Sequence, residues 1–446
     1  MLGKIHSSTT PILAAMAIFI FHPLTLWAAD DEAPEDWALH GQTTYVFQDH
    51  PPFHSPYQGP NSLGPGNQSN STADITLYGG LRPWQGAEFW INPEVDQGFG
   101  MGDTLGVAGF TSGEAYKVGA NTPYVKLPRI FIRQTIDLGG DNETVAADLN
   151  QLAGTQTANR LVMTLGKFSV VDVFDTNKYA HDPRNDFLNW SIIDIGSFDY
   201  AADSWGYTYG GAAEWYQDWW TIRAGLFDLS TVPNDTQLDP VFLRQYESVL
   251  ELEERHNIFD QPGKLKLLGF VMHGRMGSYS DAIAEAQETG TPVDIASVRE
   301  FHNKVGVGLN GEQQISQDLG AFIRAGYTQG QYEEYEFTDI NKTVSSGLSL
   351  TGGSWGRADD TVGLALAFND ASTAAQQFFN AGGTGLLVGD GQLPRPGVEQ
   401  ILETYYSFAV FGFAKLSADY QFIQNPAYNR DRGPVSVFGL RAHAQF

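Results

Sequence analysis

Residues 435–446 read VSVFGLRAHAQF and alternate between two kinds of side chain. One face carries Phe438, Leu440, Ala442, Ala444 and Phe446, and the other carries Val437, Gly439, Arg441, His443 and Gln445. This period of two predicts a β-strand that separates an apolar medium from a polar one. The chain ends on the apolar face, which is the register expected of a strand that faces lipid and leaves it at an aromatic girdle.

The composition indicates a large β-protein and argues against a nucleic-acid-binding chain. The chain has 26 Lys and Arg against 52 Asp and Glu, so its formal net charge is −26. Nucleic acid is therefore not an expected partner, because binding it requires clustered cations. Aromatic residues make up 13% of the chain and glycines number 49, which is not typical of a disordered acidic chain. The absence of cysteine excludes disulfides and Cys-ligated metals, and we expect neither a cofactor nor a metal.

Residues 1–29 are predicted to be a secretory signal peptide that is removed on export. Lys4 supplies the positive charge, an apolar run follows over residues 11–27, and Ala28 and Ala29 are the small residues before Asp30. The alternative is an uncleaved membrane anchor. No later apolar run approaches the ~20 residues that a helix needs to cross a bilayer, so we expect an exported chain without spanning helices.

The remaining residues, 30–446, are predicted to form one domain with about sixteen strands. The approximate strand cores are 40–48, 73–82, 87–96, 128–137, 160–168, 204–215, 219–227, 242–254, 264–274, 303–312, 320–328, 346–355, 361–368, 402–413, 415–423 and 435–446. We therefore predict an all-β fold, a transmembrane antiparallel up-and-down β-barrel with short periplasmic turns and long extracellular loops.

The connections between these strands alternate in length. Long ones cover 97–127, 169–203, 277–302 and 369–401, and short ones cover 82–86, 217–218 and 315–319. Strands that cross a membrane up and down show this asymmetry, whereas a soluble sandwich has no reason for it. One long connection, 139–159, falls on the short side and breaks the rule. Two stretches inside long loops, 280–288 and 372–380, read as short helices.

Charged side chains are assigned to the lumen. In segment 88–96, the face with Phe89, Ile91, Pro93 and Val95 opposes the face with Glu88, Trp90, Asn92, Glu94 and Asp96. An Arg or Lys facing lipid at the bilayer midplane would cost about 2–4 kcal/mol, so the charged face points inward. Pro93 removes a ladder hydrogen bond and predicts a strand end or a bulge. An inner aromatic girdle is assigned to Trp84, Trp219, Trp220 and Phe446.

Four stretches resemble the carbohydrate-selective porins of Gram-negative outer membranes, of the glucose-porin type. They are NPEVDQGFG at 92–100 with LGVAGF at 105–110; GKF at 166–168 with FDTNKYA at 174–180 and FLNW at 187–190; GYTYG at 206–210 with EWY at 214–216; and NPAYNRDRGP at 425–434. The terminal Phe446 is also similar to the end signature of outer-membrane barrels. An acidic stretch near 330–339 departs from the family pattern.

The resemblance implies a monomeric sixteen-stranded barrel in the bacterial outer membrane. Sugars would diffuse through it passively, and long loops would fold into its mouth to narrow the pore. The expected partners are small-molecule sugars, outer-membrane lipid and lipopolysaccharide, and the barrel assembly machinery during biogenesis. No enzymatic activity is expected, and the preferred sugar is left open.

A sugar-selective constriction needs groups that match hydroxyls and flat ring faces. Arginine presents five fixed donors, carboxylates accept hydrogen bonds, and tryptophan and tyrosine stack on apolar sugar faces. We predict that Arg82, Arg129 and Arg133 face Glu88, Glu94 and Asp96 across the lumen, with Trp90 as the aromatic platform. The alternative is that these residues form ordinary ion pairs of a polar barrel wall. Such a wall network is predicted for Glu247, Glu251 and Glu253 opposite Lys264 and Lys266.

The long connection after the fifth strand supplies a second group of candidates. Asp175, Asn177, Tyr179, Asp182, Arg184 and Asn189 are predicted to form an inward-folded part of the constriction. The alternative is a surface loop in which these residues merely form turns.

Two other functions compete with the sugar channel. One is a secreted β-rich carbohydrate-active hydrolase, which would be soluble without detergent. The other is an outer-membrane barrel for general diffusion, adhesion or polysaccharide export. Residues 352–356 read GGSWG and fit the G-x-S-x-G pattern of a catalytic serine, but that motif needs a strand before it and a helix after it. The sequence after it reads as a turn and a strand, so no catalytic residue is predicted.

Overall fold

The computed structural model describes residues 34–115 and 118–446, in which sixteen β-strands form one closed antiparallel barrel. The strands are β1 Trp37–His50, β2 Gln68–Leu81, β3 Ala87–Gly98, β4 Ala120–Val145, β5 Gly154–Phe168, β6 Thr208–Gln217, β7 Trp220–Asp228, β8 Tyr246–Ile258, β9 Gln261–Gly277, β10 Arg299–Gln314, β11 Leu319–Thr328, β12 Lys342–Gly352, β13 Arg357–Asp370, β14 Glu399–Phe411, β15 Ala414–Gln424 and β16 Val435–Gln445. Each strand pairs with the next along the chain, and β1 pairs with β16. The predicted up-and-down barrel is confirmed, while the predicted leader at 1–29 lies outside the described residues.

The long and short connections alternate around the barrel. At the long-loop end lie residues 51–67, 99–119, 169–207, 229–245, 278–298, 329–341, 371–398 and 425–434. At the short-turn end lie residues 82–86, 146–153, 218–219, 259–260, 315–318, 353–356 and 412–413. The GGSWG stretch overlaps the turn between two strands, and its Ser354 is exposed there.

The prediction of a long connection at 139–159 is wrong. Strands β4 and β5 continue as a hairpin and leave only residues 146–153 between them. The alternation of side chains stops at Gly139 and Gly140, where a sequence pattern predicts a loop. Both glycines have positive φ, 103° and 90°, and the pairing register with β5 shifts at this point. Glycine adopts this conformation without steric cost, so the ladder continues through bulges.

The faces of the strands follow the predicted alternation. On β16, Phe438 and Leu440 are 52% and 59% exposed at the outer surface, whereas Arg441 on the other face is only 3% exposed. On β3, the register with β4 shifts between Asn92 and Glu94, which is the bulge that the intervening proline predicts.

The lumen is filled largely by loops from the long-loop end. Loop 169–207 and parts of loops 99–119, 329–341 and 371–398 supply about half of the buried aromatic and aliphatic side chains of the core. Carboxylates on the inner wall hold these loops by accepting hydrogen bonds from their backbone amides. Glu403 on β14 accepts from the amide of Asn189 at 3.0 Å, and Glu399 accepts from that of Gly109 at 2.8 Å. Much of the acidic composition therefore serves to satisfy buried backbone donors.

The acidic stretch near 330–339 has the same structural use. Asp339 accepts hydrogen bonds from the amides of residues 386, 387 and 388 at 3.1, 2.8 and 3.1 Å. Glu333 pairs with Arg299 at 2.7 Å. Burial raises the pKa of Glu336, whose carboxylate accepts from the Ser230 hydroxyl at 3.0 Å. Loop 329–341 is thus fixed inside the mouth of the barrel.

In the part of the chain that the structure describes, three α-helices lie within the long loops: α1 Trp190–Ile193, α2 Tyr279–Thr289 and α3 Thr373–Asn380. The two helices predicted at 280–288 and 372–380 coincide with α2 and α3. Each begins with a serine cap, since Ser278 and Ser372 accept a hydrogen bond from a first-turn amide. Within the described residues, no helix combines the length and apolar character needed to cross a membrane.

Candidate functional site

Two cavities meet inside the lumen. The lower cavity, near the short-turn end, has a volume of about 1330 Å³ and is lined by turn residues such as Gln85. The upper cavity, about 300 Å³, is lined by residues of the long loops, such as Asn234. Of the described residues, three line both cavities: Leu149, Asp172 and His181. We call the boundary between the two cavities, where these three residues lie, the constriction.

Asp172 is fixed at the constriction by Arg129. The Arg129 Nε and Nη2 atoms donate to the two carboxylate oxygens at 2.7 and 2.6 Å. The guanidinium also lies over the Tyr207 ring at 5.0 Å. Burial alone would raise the pKa of Asp172, but the charge of Arg129 holds this pKa below its ordinary value. Asp172 is therefore a fixed negative charge at the constriction.

His181 is the titratable residue at the constriction. Its Nδ1 atom lies 3.6 Å from a carboxylate oxygen of Asp194. Burial lowers the pKa of His181, but the interaction with Asp194 outweighs burial and leaves that pKa above its ordinary value. The histidine thus adds a positive charge beside Asp172 at mildly acidic pH.

Above the constriction, charged side chains of β3 and β4 pair with one another and with loop 169–207. Lys126 on β4 lies 2.9 Å from Asp96 and 3.6 Å from Glu94. Arg184 of the loop lies 3.2 Å from Glu114 and 3.8 Å from Glu94. Glu94 thus interacts with a cation from the wall and with one from the inserted loop.

Aromatic side chains also line the upper cavity. Phe110 stacks on Trp190 with ring centroids 4.9 Å apart, and Phe337 lies 5.1 Å from Trp190 and 4.7 Å from Tyr200. The indole nitrogen of Trp190 is buried and has no hydrogen-bond partner in the part of the chain that the structure describes. The cavity therefore combines apolar ring faces, charged groups and the unsatisfied donor of Trp190.

The sequence model of the carbohydrate-selective porin OprB family matches residues 61–446. The chain belongs to this family. No curated protein sequence matches it.

Solved structures agree with this barrel in fold. The high-pH structure of Pseudomonas putida OprB superposes with a TM-score of 0.70 at 14% identity, covering 92% of this chain and 94% of that one. The low-pH structure of the same OprB gives a TM-score of 0.50 at 12% identity, covering 92% and 93%. The outer membrane channel DcaP of Acinetobacter baumannii gives 0.50 at 10% identity, covering 92% and 97%.

Among the residues predicted to line this OprB-family channel, Arg82, Glu88 and Arg133 lie around the lower cavity. Arg133 pairs with Glu88 on the neighbouring strand at 3.3 Å and also donates to the Asn150 carbonyl at 2.9 Å. Arg82 donates to the Ala153 carbonyl at 3.0 Å. Both arginines therefore hold the turn 146–153. Arg129, Glu94 and Asp96 lie higher, so the structure does not bring the seven predicted wall residues into one ring.

Trp90 lies within the inner wall, outside both cavities. Its side chain is fully buried, stacks beside His40 at 6.3 Å and donates from Nε1 to Glu88 at 3.0 Å. A Cβ atom at Gly80 would lie 2.4 Å from its ring, so the glycine makes room for the indole. The aromatic surface next to the constriction comes instead from loop residues.

The predicted residues of loop 169–207 divide into two groups. Asp182 and Arg184 line the upper cavity. The other four, Asp175, Asn177, Tyr179 and Asn189, lie outside both cavities. Asp175 accepts from Arg324 at 3.1 Å, and Asn189 donates to the Gly109 carbonyl at 2.8 Å.

Asn177 and Tyr179 fasten the same loop to the opposite wall. Asn177 donates to the side chain of Asn310 at 2.7 Å and accepts from the Tyr179 amide at 2.9 Å. The Tyr179 ring packs over Gly320, where a Cβ atom would come within 2.0 Å of it. The loop therefore folds inward, and its predicted residues serve either its attachment or the cavity.

The predicted network on β8 and β9 forms around a residue that the prediction did not include. Arg223 on β7 lies 2.8 Å from Glu251 and 2.9 Å from Glu253, while Lys266 reaches Glu253 at 3.8 Å. Glu247 has another use, since it accepts from the amide of Ala201 at 2.5 Å. Lys264 pairs instead with Glu312 at 3.5 Å.

Sequence reasoning also missed the residues nearest the constriction. Lys126 precedes the predicted fourth strand, and a register shift between it and Arg129 hides its inward orientation from the alternation rule. No periodic signal marks Asp172, His181 or Leu149, because all three lie in connections. Within the described ranges 34–115 and 118–446, no group of three or more metal-ligating side chains is suited to hold a metal ion.

Proposed function

We propose that this protein is an outer-membrane channel for passive, carbohydrate-selective diffusion of glucose-like mono- and small oligosaccharides into the periplasm. The observation that carries the proposal is the upper cavity, where an aromatic cluster with the unsatisfied Trp190 donor faces paired charges of both signs. A sugar has apolar ring faces and hydroxyls that donate and accept, so it can use all three features together.

Direct sugar contact is assigned to the predicted residues that line a cavity. These are Arg82, Glu88, Arg129, Arg133, Asp182 and Arg184. In this proposal the other predicted residues act indirectly, by fixing the wall and the inserted loop: Trp90, Glu94, Asp96, Asp175, Asn177, Tyr179 and Asn189. Each of these side chains already forms a hydrogen bond or an ion pair within the protein. Its interaction with a sugar hydroxyl is therefore weak, as conduction requires when bound sugar must also leave.

The cellular setting forms part of the proposal. Residues 1–29 act as a cleaved signal peptide, and residues 30–446 assemble as a monomer in the bacterial outer membrane with the help of the barrel assembly machinery. The short-turn end then faces the periplasm, and the long-loop end faces lipopolysaccharide and the medium. Outward residues such as Leu440 and Phe438 contact lipid.

The deciding experiment is planar-bilayer conductance of the detergent-purified mature chain, with glucose and other sugars added. We expect stable channels whose current falls as sugar occupies the upper cavity. Channels indifferent to every sugar would replace the proposal with general diffusion or other cargo. A chain that forms no channels and dissolves in plain buffer would favour the secreted hydrolase instead.

A further inference from the structure

The turn between β4 and β5 folds back into the lumen from the short-turn end. Leu152 and Ala153 are each only 1% exposed, although the turn belongs to the end with short connections. Leu149 packs against the hydrophobic core of the lumen and lines both cavities. The constriction is therefore built from two directions, with Leu149 entering from below and loop 169–207 from above.

Among the described residues, the side chains of Arg133, Arg82 and Glu35 hold this turn in place. Arg133 donates to the Asn150 carbonyl at 2.9 Å, and Arg82 donates to the Ala153 carbonyl at 3.0 Å. Glu35 closes the attachment, since its amide donates to the Ala153 carbonyl at 3.0 Å and its carboxylate accepts from the Ala153 amide at 2.8 Å. These contacts dock the turn on the chain just before β1 and on the wall.

The barrel ladder itself does not fix the height of the turn. Pairing of β4 with β3 ends at Gln134, and pairing of β5 with β6 ends at Arg160. Beyond these points β4 and β5 pair only with each other, up to the closing pair of Val145 and Gly154. The position of Leu149 thus depends on the hairpin and its attachments and not on the sixteen-strand ladder.

We propose that Leu149 sets the size limit of the channel. The inference rests on the proposed sugar-channel function and adds to it the residue that decides between smaller and larger sugars. Asp172 and His181, on the other side of the constriction, can hydrogen-bond a passing hydroxyl. Leu149 offers only an apolar surface there, so it acts through its volume, and a change of that volume alters the free width of the passage.

The test compares Leu149→Ala with Leu149→Trp. Proteoliposome swelling measures the permeation of a monosaccharide, a disaccharide and a trisaccharide of the same sugar. We expect the ratio of disaccharide to monosaccharide permeation to rise several-fold in L149A and to fall several-fold in L149W. The matched controls are Leu138→Ala and Leu138→Trp, because Leu138 is on the same hairpin but is 53% exposed and lines neither cavity.

A second measurement avoids any defect of folding. The chain contains no cysteine, so Leu149→Cys introduces a single thiol that can be modified in the assembled channel. Methanethiosulfonate reagents of increasing bulk should lower the same permeation ratio step by step, and a reductant should restore it. The parent channel, which has no thiol, should not respond.

The outcomes separate this inference from the proposed function. An unchanged ratio in all Leu149 variants, with glucose block intact, would overturn the inference and leave the sugar channel standing. A fall of the ratio in both L149A and L149W would also overturn it, because a structural role predicts damage in one direction only. A parent channel that no sugar affects would overturn the proposed function itself.

Discussion

Arg129 and Asp172 are joined by two parallel hydrogen bonds of 2.7 and 2.6 Å, and this pair ties strand β4 to the inserted loop at the constriction. Asp172 also accepts a hydrogen bond from the amide of Ser169 at 3.0 Å. Its carboxylate therefore binds both the wall, through Arg129, and the start of the inserted loop, through Ser169. A bidentate arginine–carboxylate pair fixes orientation as well as distance. The Arg129–Asp172 pair therefore fixes both the position of the negative charge and the shape of the constriction.

Replacing Arg129 with lysine should weaken that support while keeping the charge. A single ammonium cannot form both hydrogen bonds, so the carboxylate of Asp172 becomes more mobile and the proposed sugar site loses its fixed geometry. We expect the concentration of glucose that half-blocks the current to rise about tenfold. This rise corresponds to the free energy of one charge-assisted hydrogen bond. Bilayer titration measures this concentration.

The matched control for that experiment is Arg395→Lys. Arg395 also pairs with a carboxylate, that of Asp431, but its side chain is 66% exposed on an outer loop. Glucose block should not change in this variant. An Arg129→Lys channel that glucose blocks as well as the parent would show that the geometry of the pair does not matter for sugar.

The free donor of Trp190 should contribute to sugar binding. Trp190→Phe keeps an aromatic ring against Phe110 but removes the indole N–H, which has no partner among the described residues. One neutral hydrogen bond corresponds to about a two- to tenfold loss of glucose affinity. The control is Trp219→Phe, since Trp219 is 61% exposed at the short-turn rim. Equal glucose block in both variants would remove Trp190 from the site.

Protonation of His181 should make the channel less selective for cations. The pKa of His181 lies above its ordinary value, so its positive charge is present below that pKa and is lost as the pH rises through it. Asp172 keeps its negative charge over the same range because its pKa is lowered. Reversal potentials in a salt gradient should therefore show the cation preference falling as the pH drops from about 8 to about 5.

The variant His181→Gln should lack this pH-dependent step, whereas His54→Gln, at an exposed loop residue, should keep it. Asp194 and Asp175 also face His181, and the cation of Arg324 lies near it. A pH response that survives in His181→Gln would assign the titration to those carboxylates.

The sequence predicted the barrel better than the constriction, and the reason is physical. The side chains of a strand between lipid and lumen must alternate between apolar and polar along its whole length. The sequence pattern therefore suffices to assign Leu440 and Arg441 to opposite faces. The contact of Leu149 with the lumen core depends on the β4–β5 hairpin, whose pairing shifts register around Gly139 and Gly140. These shifts interrupt the alternation of side chains, so the sequence has no periodic pattern that predicts the contact. The inward orientation of Lys126 was not predicted, because the bulge in the β3–β4 pairing changes the face on which its side chain lies and leaves no mark in the sequence.

The closing seam of the barrel supplies the last prediction. The Gly41 amide donates to the Phe446 carbonyl at 3.1 Å, and the Phe446 amide donates to the Gly41 carbonyl at 3.0 Å. The Phe446 ring also covers Gly41, where a Cβ atom would lie 2.6 Å from it. Deleting Phe446 removes both hydrogen bonds at the β1–β16 seam together with an aromatic side chain that is 68% exposed at the outer rim.

We therefore expect less of the chain to reach the folded state in the outer membrane when Phe446 is deleted. Heat-modifiable mobility on gels measures the folded fraction. Phe413→Ala is the control, because Phe413 is a similarly exposed aromatic residue, at 59%, and its backbone carbonyl still accepts from Gln445. Since that variant keeps the seam and loses only a rim side chain, a defect confined to the Phe446 deletion would assign the effect to closure. Normal assembly without Phe446 would mean that the other pairs of β1 and β16 close the barrel unaided.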